Sequence, residues 1–357
     1  MVAYADGTAS DLPFHTFPDA GATLSVPDSH GDGTNRGGWA YLSNSEVRPI
    51  DGVPPGMGGV GSILFDKDGR VLDYGMVLNG TTSNCGGGRT PWNTWISCEE
   101  YKNRGQCHEV DPFGTGKSRM TVLGGDGGMF ESFAYHISDP SSPRFFVTED
   151  LDKGALRRFT PRTVNWTHPS EMLHGEGVME YLVLDPSKKN KMTEGTYSWT
   201  GDKSAAEKSA KSHYRNSEGI DVVDGMLYFV SKKLRALFVL DLNELTYVRS
   251  STEHGAFDGQ PDQIVPVIHK RNEIMYFTEE GGERPGVHGR DVLGRYYSVL
   301  ESPVYSDETS GLAFSPDAGH MYFTFQDYGL LFDVTRIDGR PFSGRTLNIK
   351  YHNYNMK

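Results

Sequence analysis

A chain of 357 residues with 43 Gly, 19 Pro, 36% hydrophobic and 23% charged residues is long enough to bury most of its unfolded surface without a disulfide or metal staple. Its 18 Phe, 18 Tyr and 5 Trp exclude disorder, and a mean hydropathy of -0.51 with no apolar run near about 18 residues excludes a helical membrane span. The formal net charge of -12 argues against a nucleic-acid partner, because a phosphate backbone requires a concentrated basic face.

The first seventeen residues, Met1 to Phe17, carry no basic, apolar or twin-arginine leader pattern, so the chain reads either as cytoplasmic or as a mature form whose leader is already removed. From there on, short runs of aromatic and β-branched residues cut by Gly, Pro, Asn and Asp predict strands and turns. One kind of strand recurs, ending in Ser or Thr followed by polar or acidic residues. Its copies begin at Trp39, Trp95, Phe145, Tyr228, Tyr276 and Tyr322. Most intervals are about 50 residues, the period of a four-stranded propeller blade. The step from Phe145 to Tyr228 is longer and contains a polar excursion, Lys188 to Ser217, in which Ser204 to Lys211 is the best helix candidate. Third strands are predicted at Ala155–Phe159, Ala236–Asp241, Gly294–Leu300 and Gly329–Val334. The expected architecture is an all-β, six-bladed β-propeller with short peripheral helical insertions, one domain over residues 1–357, expected to be monomeric.

An earlier strand in several repeats opens with its own acid: Glu131, Glu218, Asp262 and Glu308. The start of one strand lies beside the end of its antiparallel neighbour. If these are the innermost strands, the four acids ring one mouth of the channel, with Glu100, Glu149, Asp150 and Glu279 just outside. So many carboxylates in one funnel repel one another unless cations neutralise them or some are protonated. Hard oxygen ligands point to Ca2+, Mg2+ or a ferric ion. Among the 12 His, those near these segments (His136, His213, His254 and His269) show no metal-ligand spacing.

The densest motif is Asn84-Cys85-Gly86-Gly87-Gly88-Arg89-Thr90-Pro91-Trp92-Asn93-Thr94-Trp95, ending in Cys98-Glu99-Glu100. Its glycines allow close backbone approach, and the loop would hold Asn84 and Cys85 in fixed positions. A thiolate beside hard oxygens suggests a transition metal next to calcium. Cys85, Cys98 and Cys107 are too few for a disulfide framework, although a Cys98–Cys107 bridge is geometrically conceivable.

This stretch resembles the PhoX-type alkaline phosphatases, whose motif Asn-Cys-x-Gly-Gly-x-Thr-Pro-Trp-x-Thr-Trp-x-x-Cys-Glu-Glu is matched from Asn84 to Glu100. The similarity continues through Phe130-Glu131, Thr148-Glu149-Asp150, Pro261-Asp262, Glu279-Glu280-Gly281 and the block from Glu308 to Asp317, so it spans about residues 38–335. The resemblance implies a six-bladed propeller whose channel mouth holds Fe3+ and Ca2+ and hydrolyses small phosphomonoesters. Carried over by position, it implies Cys85, Glu131 and Glu218 as iron ligands. Glu100, Asp150, Asp262 and Glu308 become calcium ligands, with Asn84 and Arg215 at the substrate phosphate. It also implies a secreted or periplasmic location.

One departure bears on the chemistry. The family has Arg-Pro-Glu where this chain has Arg215-Asn216-Ser217-Glu218, which displaces the arginine by one residue. If Arg215 cannot reach the phosphate, Arg89, Lys232 or Lys233 would have to substitute, or activity would be low or absent. Two other functions fit a propeller with acids at its mouth: a non-catalytic calcium-binding module, and a calcium-dependent esterase or lactonase. The second has no use for Cys85.

Overall fold

The computed structural model describes residues 1–27, 36–50, 53–114, 116–189, 193–253, 257–266, 275–291 and 293–342. His254 and His269 lie outside the described residues. Among the described residues, no helix is long and apolar enough to cross a membrane.

The chain forms six consecutive antiparallel blades, and each uses its first strand as the innermost. Blade 1 contains β1 (Pro18–Ser25), β2 (Trp39–Ser45), β3 (Gly58–Phe65) and β4 (Val71–Thr81). Blade 2 contains β5 (Asn84–Arg89), β6 (Trp95–Gly105), β7 (Cys107–Val110) and β8 (Arg119–Met120). Blade 3 follows with β9 (Gly128–His136), β10 (Arg144–Glu149), β11 (Arg157–Pro161) and β12 (Gly177–Pro186). β13 (Glu194–Thr200) belongs to the excursion after it. Blade 4 contains β14 (Ser217–Val223), β15 (Met226–Ser231), β16 (Ala236–Asp241) and β17 (Thr246–Ser251). Blade 5 contains β18 (Gln260–Pro266), β19 (Met275–Glu280), β20 (Gly286–Arg290) and β21 (Tyr296–Glu301), and blade 6 contains β22 (Thr309–Phe314), β23 (His320–Phe325) and β24 (Leu330–Thr335).

The six recurring segments read from the sequence are the second strands β2, β6, β10, β15, β19 and β23. One predicted third strand is misplaced: Gly294–Leu300 falls largely on β21, the fourth strand. The third is β20, whose Gly- and Pro-rich surroundings conceal it.

The innermost strands form a closed ring, β1 against β5, then β9, β14, β18, β22 and back to β1. The core is divided accordingly into six apolar layers, one between each pair of adjacent blades. Trp39, Tyr41 and Phe65 of blade 1, for example, pack on Ala313 and Tyr322 of blade 6. This packing is why the second strands are so aromatic: they lie centrally in each blade and are covered on both faces.

The excursion after blade 3 joins two outer edges, because β13 pairs with β12 on one side and with β17 of blade 4 on the other. Its helix, α1 (Lys203–His213), is capped by Asp202, whose carboxylate accepts the Ala205 N–H at 3.1 Å, and Lys211 and His213 lie in its last turn. It packs on blade 3 through Ser209, whose Oγ accepts the Leu184 N–H at 2.9 Å.

Candidate metal centre

The innermost strands share a defect that aims side chains at the channel. In each blade the register against the second strand shifts over three residues: Pro18 to Gly21, Asn84 to Gly87, Phe130 to Phe133, Ser217 to Ile220, Pro261 to Ile264 and Ser310 to Ala313. The residue just inside each shift is Asp19, Cys85, Glu131, Glu218, Asp262 and Gly311. Five of these six bulges therefore present a metal-ligating side chain at one level of the ring. Bulges commonly redirect a side chain in this way beside functional sites. The freed amides of Ser132 and Gln263 donate to Thr148 Oγ1 and Thr278 Oγ1, both at 2.9 Å, which holds two of the bulges in shape.

The glycines of the dense motif have a steric reason. A Cβ on Gly86 would stand 2.0 Å from the Glu131 carbonyl oxygen, and one on Gly88 would stand 1.9 Å from that of Phe133. Only glycine lets β5 lie against β9, and this close approach brings Cys85 to Glu131. The Cys85 thiol donates to Glu131 Oε2 at 2.9 Å.

Among the described residues, three groups have ligand atoms within 4.8 Å of one another: Asp19, Glu46 and Cys85; Asp19, Asp262 and Glu308; and Glu131, Glu218 and Asp262. Asp19 and Glu46 were not singled out in the sequence. Asp19 could have been found, because Pro18-Asp19 repeats the Pro261-Asp262 pair at the start of an inner strand. Glu46 stands at the end of the first recurring segment. Its carboxylate accepts Arg48 Nε and Nη2, both at 2.7 Å, and Gln326 Nε2 at 3.0 Å.

The other expected residues are distributed unequally. Asp150 pairs with Lys232 Nζ at 2.7 Å and accepts Asn216 Nδ2 at 2.6 Å, and Glu100 is next to it. Glu149 and Glu279 do not stand at the channel. Being one residue out of phase with Asp150 and Glu280, they turn into their blades, Glu149 to Arg157 at 3.7 Å and Glu279 to His288 at 2.7 Å. Asn84 is fully buried with its amide engaged: Oδ1 accepts from Thr81 Oγ1 at 2.6 Å and Nδ2 donates to Ser97 Oγ at 2.9 Å. Arg215 is not brought to the carboxylates. It donates to the Lys211 carbonyl at 2.6 Å and to Asp152 at 3.3 Å on the exposed side of blade 4. Arg89 is at the far end of β5, lining a partly open cavity of about 70 Å3 between the six inner strands. Cys98 and Cys107 face each other across β6 and β7 as free thiols, with sulfurs 3.4 Å apart.

The electrostatics are those of an anion cluster short of cations. Burial, followed by the surrounding carboxylates, pushes Asp19, Glu131 and Glu308 well above the usual carboxylate range, and Asp262 to about 6. Burial and the same neighbours raise the Cys85 thiol. Lys232 is the exception: burial alone would lower it, but Glu218, Asp150 and Glu280 hold it above the usual ammonium value. Asp19 shows the deficit most directly. It is 2% exposed, Oδ1 accepts from Ser310 Oγ, and Oδ2 accepts no well-aligned hydrogen bond among the described residues, the Cys85 thiol standing close to the carboxylate. A buried carboxylate oxygen left without a well-placed donor costs several kcal/mol in an apolar surrounding, roughly, and a bound cation removes that cost. The donor set fits cations: two groups are all carboxylate, suited to hard ions, and the third adds a thiol suited to a transition metal.

Fold and site together define a six-bladed β-propeller with a polycarboxylate and thiol centre at one channel mouth. The sequence model of the family described as Alkaline phosphatase PhoX matches residues 69–133, which include the dense motif, Cys85 and Glu131. The fold is similar to that of Pseudomonas fluorescens PhoX, solved in complex with vanadate, a transition state analogue: TM-score 0.70, 14% identity, covering 92% of this chain and 90% of that one. A gluconolactonase from Xanthomonas campestris is more distant, with a TM-score of 0.49, 12% identity and coverage of 90% of this chain and 86% of that one. No curated protein sequence matches. The segment match likens residues 69–133 to that family's sequence model, and the structural match shows that the chain shares the fold of Pseudomonas fluorescens PhoX.

Proposed function

We propose that the chain is a metal-dependent phosphomonoester hydrolase whose reaction takes place at the bulge-lined mouth. The observation that carries this reading is the convergence of Asp19, Cys85, Glu131, Glu218 and Asp262 from five equivalent bulges, together with the poorly satisfied Oδ2 of Asp19. Cys85, Asp19 and Glu46 would hold a transition ion such as Fe3+, with Glu131 and Glu218 beside it. Asp262, Glu308 and Asp19 would hold Ca2+, with Glu100 and Asp150 as outlying acids. When bound, such ions supply Lewis acidity toward phosphate oxygens and lower the pKa of water.

The chain's own residues have separate duties. Asn84, locked to Thr81 and Ser97, fixes the backbone that presents Cys85. Arg48 stands at the rim with its side chain about half exposed, paired with Glu46, and is the guanidinium positioned to orient a phosphate. Arg215, engaged with Asp152, takes no part.

Elemental analysis of the purified protein combined with p-nitrophenyl phosphate hydrolysis before and after EGTA tests the proposal. Iron with calcium and chelator-sensitive turnover is the expected result. Calcium without iron and no turnover would overturn it in favour of a non-catalytic calcium-binding propeller, the reading favoured by the outward position of Arg215. A calcium-dependent esterase or lactonase leaves Cys85, at the heart of the cluster, without a role.

A further inference from the structure

Lys232 enters the acid cluster as a cation fixed to the chain. Its ammonium lies 2.7 Å from Asp150 Oδ2, 3.0 Å from Glu218 Oε1 and 2.9 Å from Glu280 Oε2. These carboxylates come from blades 3, 4 and 5; the contact with Glu218 is an ion pair, its Oε1 accepting no hydrogen bond among the described residues. The side chain is 18% exposed and its base is held on both sides. Its backbone N–H donates to the Asn216 carbonyl at 3.0 Å, and its own carbonyl accepts from the Arg235 N–H at 3.0 Å. Asn216 also holds Asp150 through Nδ2, so one turn fixes both the cation and one of its anions.

We propose that Lys232 occupies a corner of the mouth that a metal ion would otherwise take, between Asp150, Glu218 and Glu280. The chain accordingly holds fewer divalent ions than its acids imply. This inference rests on the reading of the mouth as a metal centre and concerns how many ions that centre takes. Three carboxylates converging on one point are the donor set of a hard cation, and a divalent ion there would have to expel a tethered ammonium of like sign. Among the described residues, the three groups whose ligand atoms lie within 4.8 Å of one another leave out Asp150 and Glu280 and share only Glu218 with Lys232, so the oxygens around the ammonium are spread more widely than in those groups. The positive charge at this corner is therefore constant, whatever the supply of calcium.

The test uses the full chain, stripped of metal and titrated with Ca2+, with ion number read by elemental analysis and calorimetry. Tb3+ luminescence serves as a second calcium probe. Lys232→Met is expected to hold one more divalent ion per chain than the wild type, and calcium should raise its melting temperature by more. Lys232→Arg should keep the wild-type number. Equal ion numbers in the wild type and Lys232→Met would overturn the proposal. A wild type that binds no divalent ion would overturn the metal-centre reading and this inference with it. If Lys232→Met fails to fold, Glu280→Gln decides. Glu280 is partly exposed and belongs to no ion group, so an unchanged ion number supports the proposal and the loss of an ion overturns it.

Discussion

Glu109 in blade 2 and Glu131 in blade 3 are both buried glutamates in strands of one propeller, and their surroundings are opposite. Glu109 accepts from Trp92 Nε1 at 2.6 Å, Thr94 Oγ1 at 2.7 Å and Ser170 Oγ at 2.5 Å, and pairs with His174 Nε2 at 2.8 Å. Burial opposes its charge, but these donors outweigh burial and bring its pKa down to about 2. Among the described residues Glu131 has one donor, the Cys85 thiol, and Glu218, Asp262, Glu100 and Asp19 surround it, so burial and repulsion both raise it. The first carboxylate ties a loop to a blade. The second is held in a state that its charge makes unfavourable and that a cation or a proton relieves, which is how a binding site differs from a structural one.

The largest expected effect is at the second glutamate. Glu131→Gln should lower metal content and reduce phosphatase turnover by more than about 100-fold, while leaving the metal-free protein at least as stable at neutral pH. Elemental analysis, turnover and urea unfolding of the stripped protein check this; a variant with full iron and full activity would remove Glu131 from the site. At the first glutamate the order reverses. Glu109→Leu should cost about 2–3 kcal/mol of stability by leaving buried donors unpaired, with metal content per folded chain unchanged.

The two environments also predict opposite pH responses in the metal-free protein. For Glu109, whose folded pKa is depressed, the contribution is present above its unfolded value of about 4.3 and is lost as pH falls towards about 2. For Asp262, raised to about 6, the native state binds the extra proton, so stability declines as pH rises from about 4 through 6. Urea midpoints of EGTA-treated protein should therefore decline on both sides of a mildly acidic maximum. Saturating Ca2+ should flatten the upper side, and an unchanged upper side would separate the acids from calcium. The smallest effects fall on the two arginines. Arg48→Ala should raise KM for p-nitrophenyl phosphate about tenfold with folding intact. Arg215→Ala should change stability by less than about 0.5 kcal/mol and turnover hardly at all, because it ends an exposed ion pair.

Much of this architecture was legible in the sequence because propeller repeats are local. The aromatic second strands announce themselves at Trp39, Trp95 and Tyr276, and the acids opening inner strands are readable from hairpin geometry alone. Side-chain direction was not. Thr148, Glu149 and Asp150 are adjacent letters, yet alternation along the strand sends Glu149 into the blade and Asp150 to the mouth, and nothing local fixes the phase. The bulges were invisible for a related reason, since a register shift belongs to a pair of strands. Asp19 and Glu308 meet only because the ring closes, across nearly the whole chain. The role of Lys232 depends on three blades at once, and the Glu109 network on residues as distant as His174.

The seam between the first and last blades gives Asp19 a second meaning. Among the described residues no strand from one end of the chain is woven into the blade of the other end. The seam is held by apolar packing and by scattered bonds such as Tyr41 Oη to the Gly311 carbonyl at 2.8 Å and Thr324 Oγ1 to the Pro18 carbonyl at 3.0 Å. An ion gripped by Asp19, Asp262 and Glu308 would span that seam and work as the clasp of a bracelet. Chelation would then do more than stop chemistry: it would unfasten the ring where the chain begins and ends, and the first blade would become the part most readily peeled away.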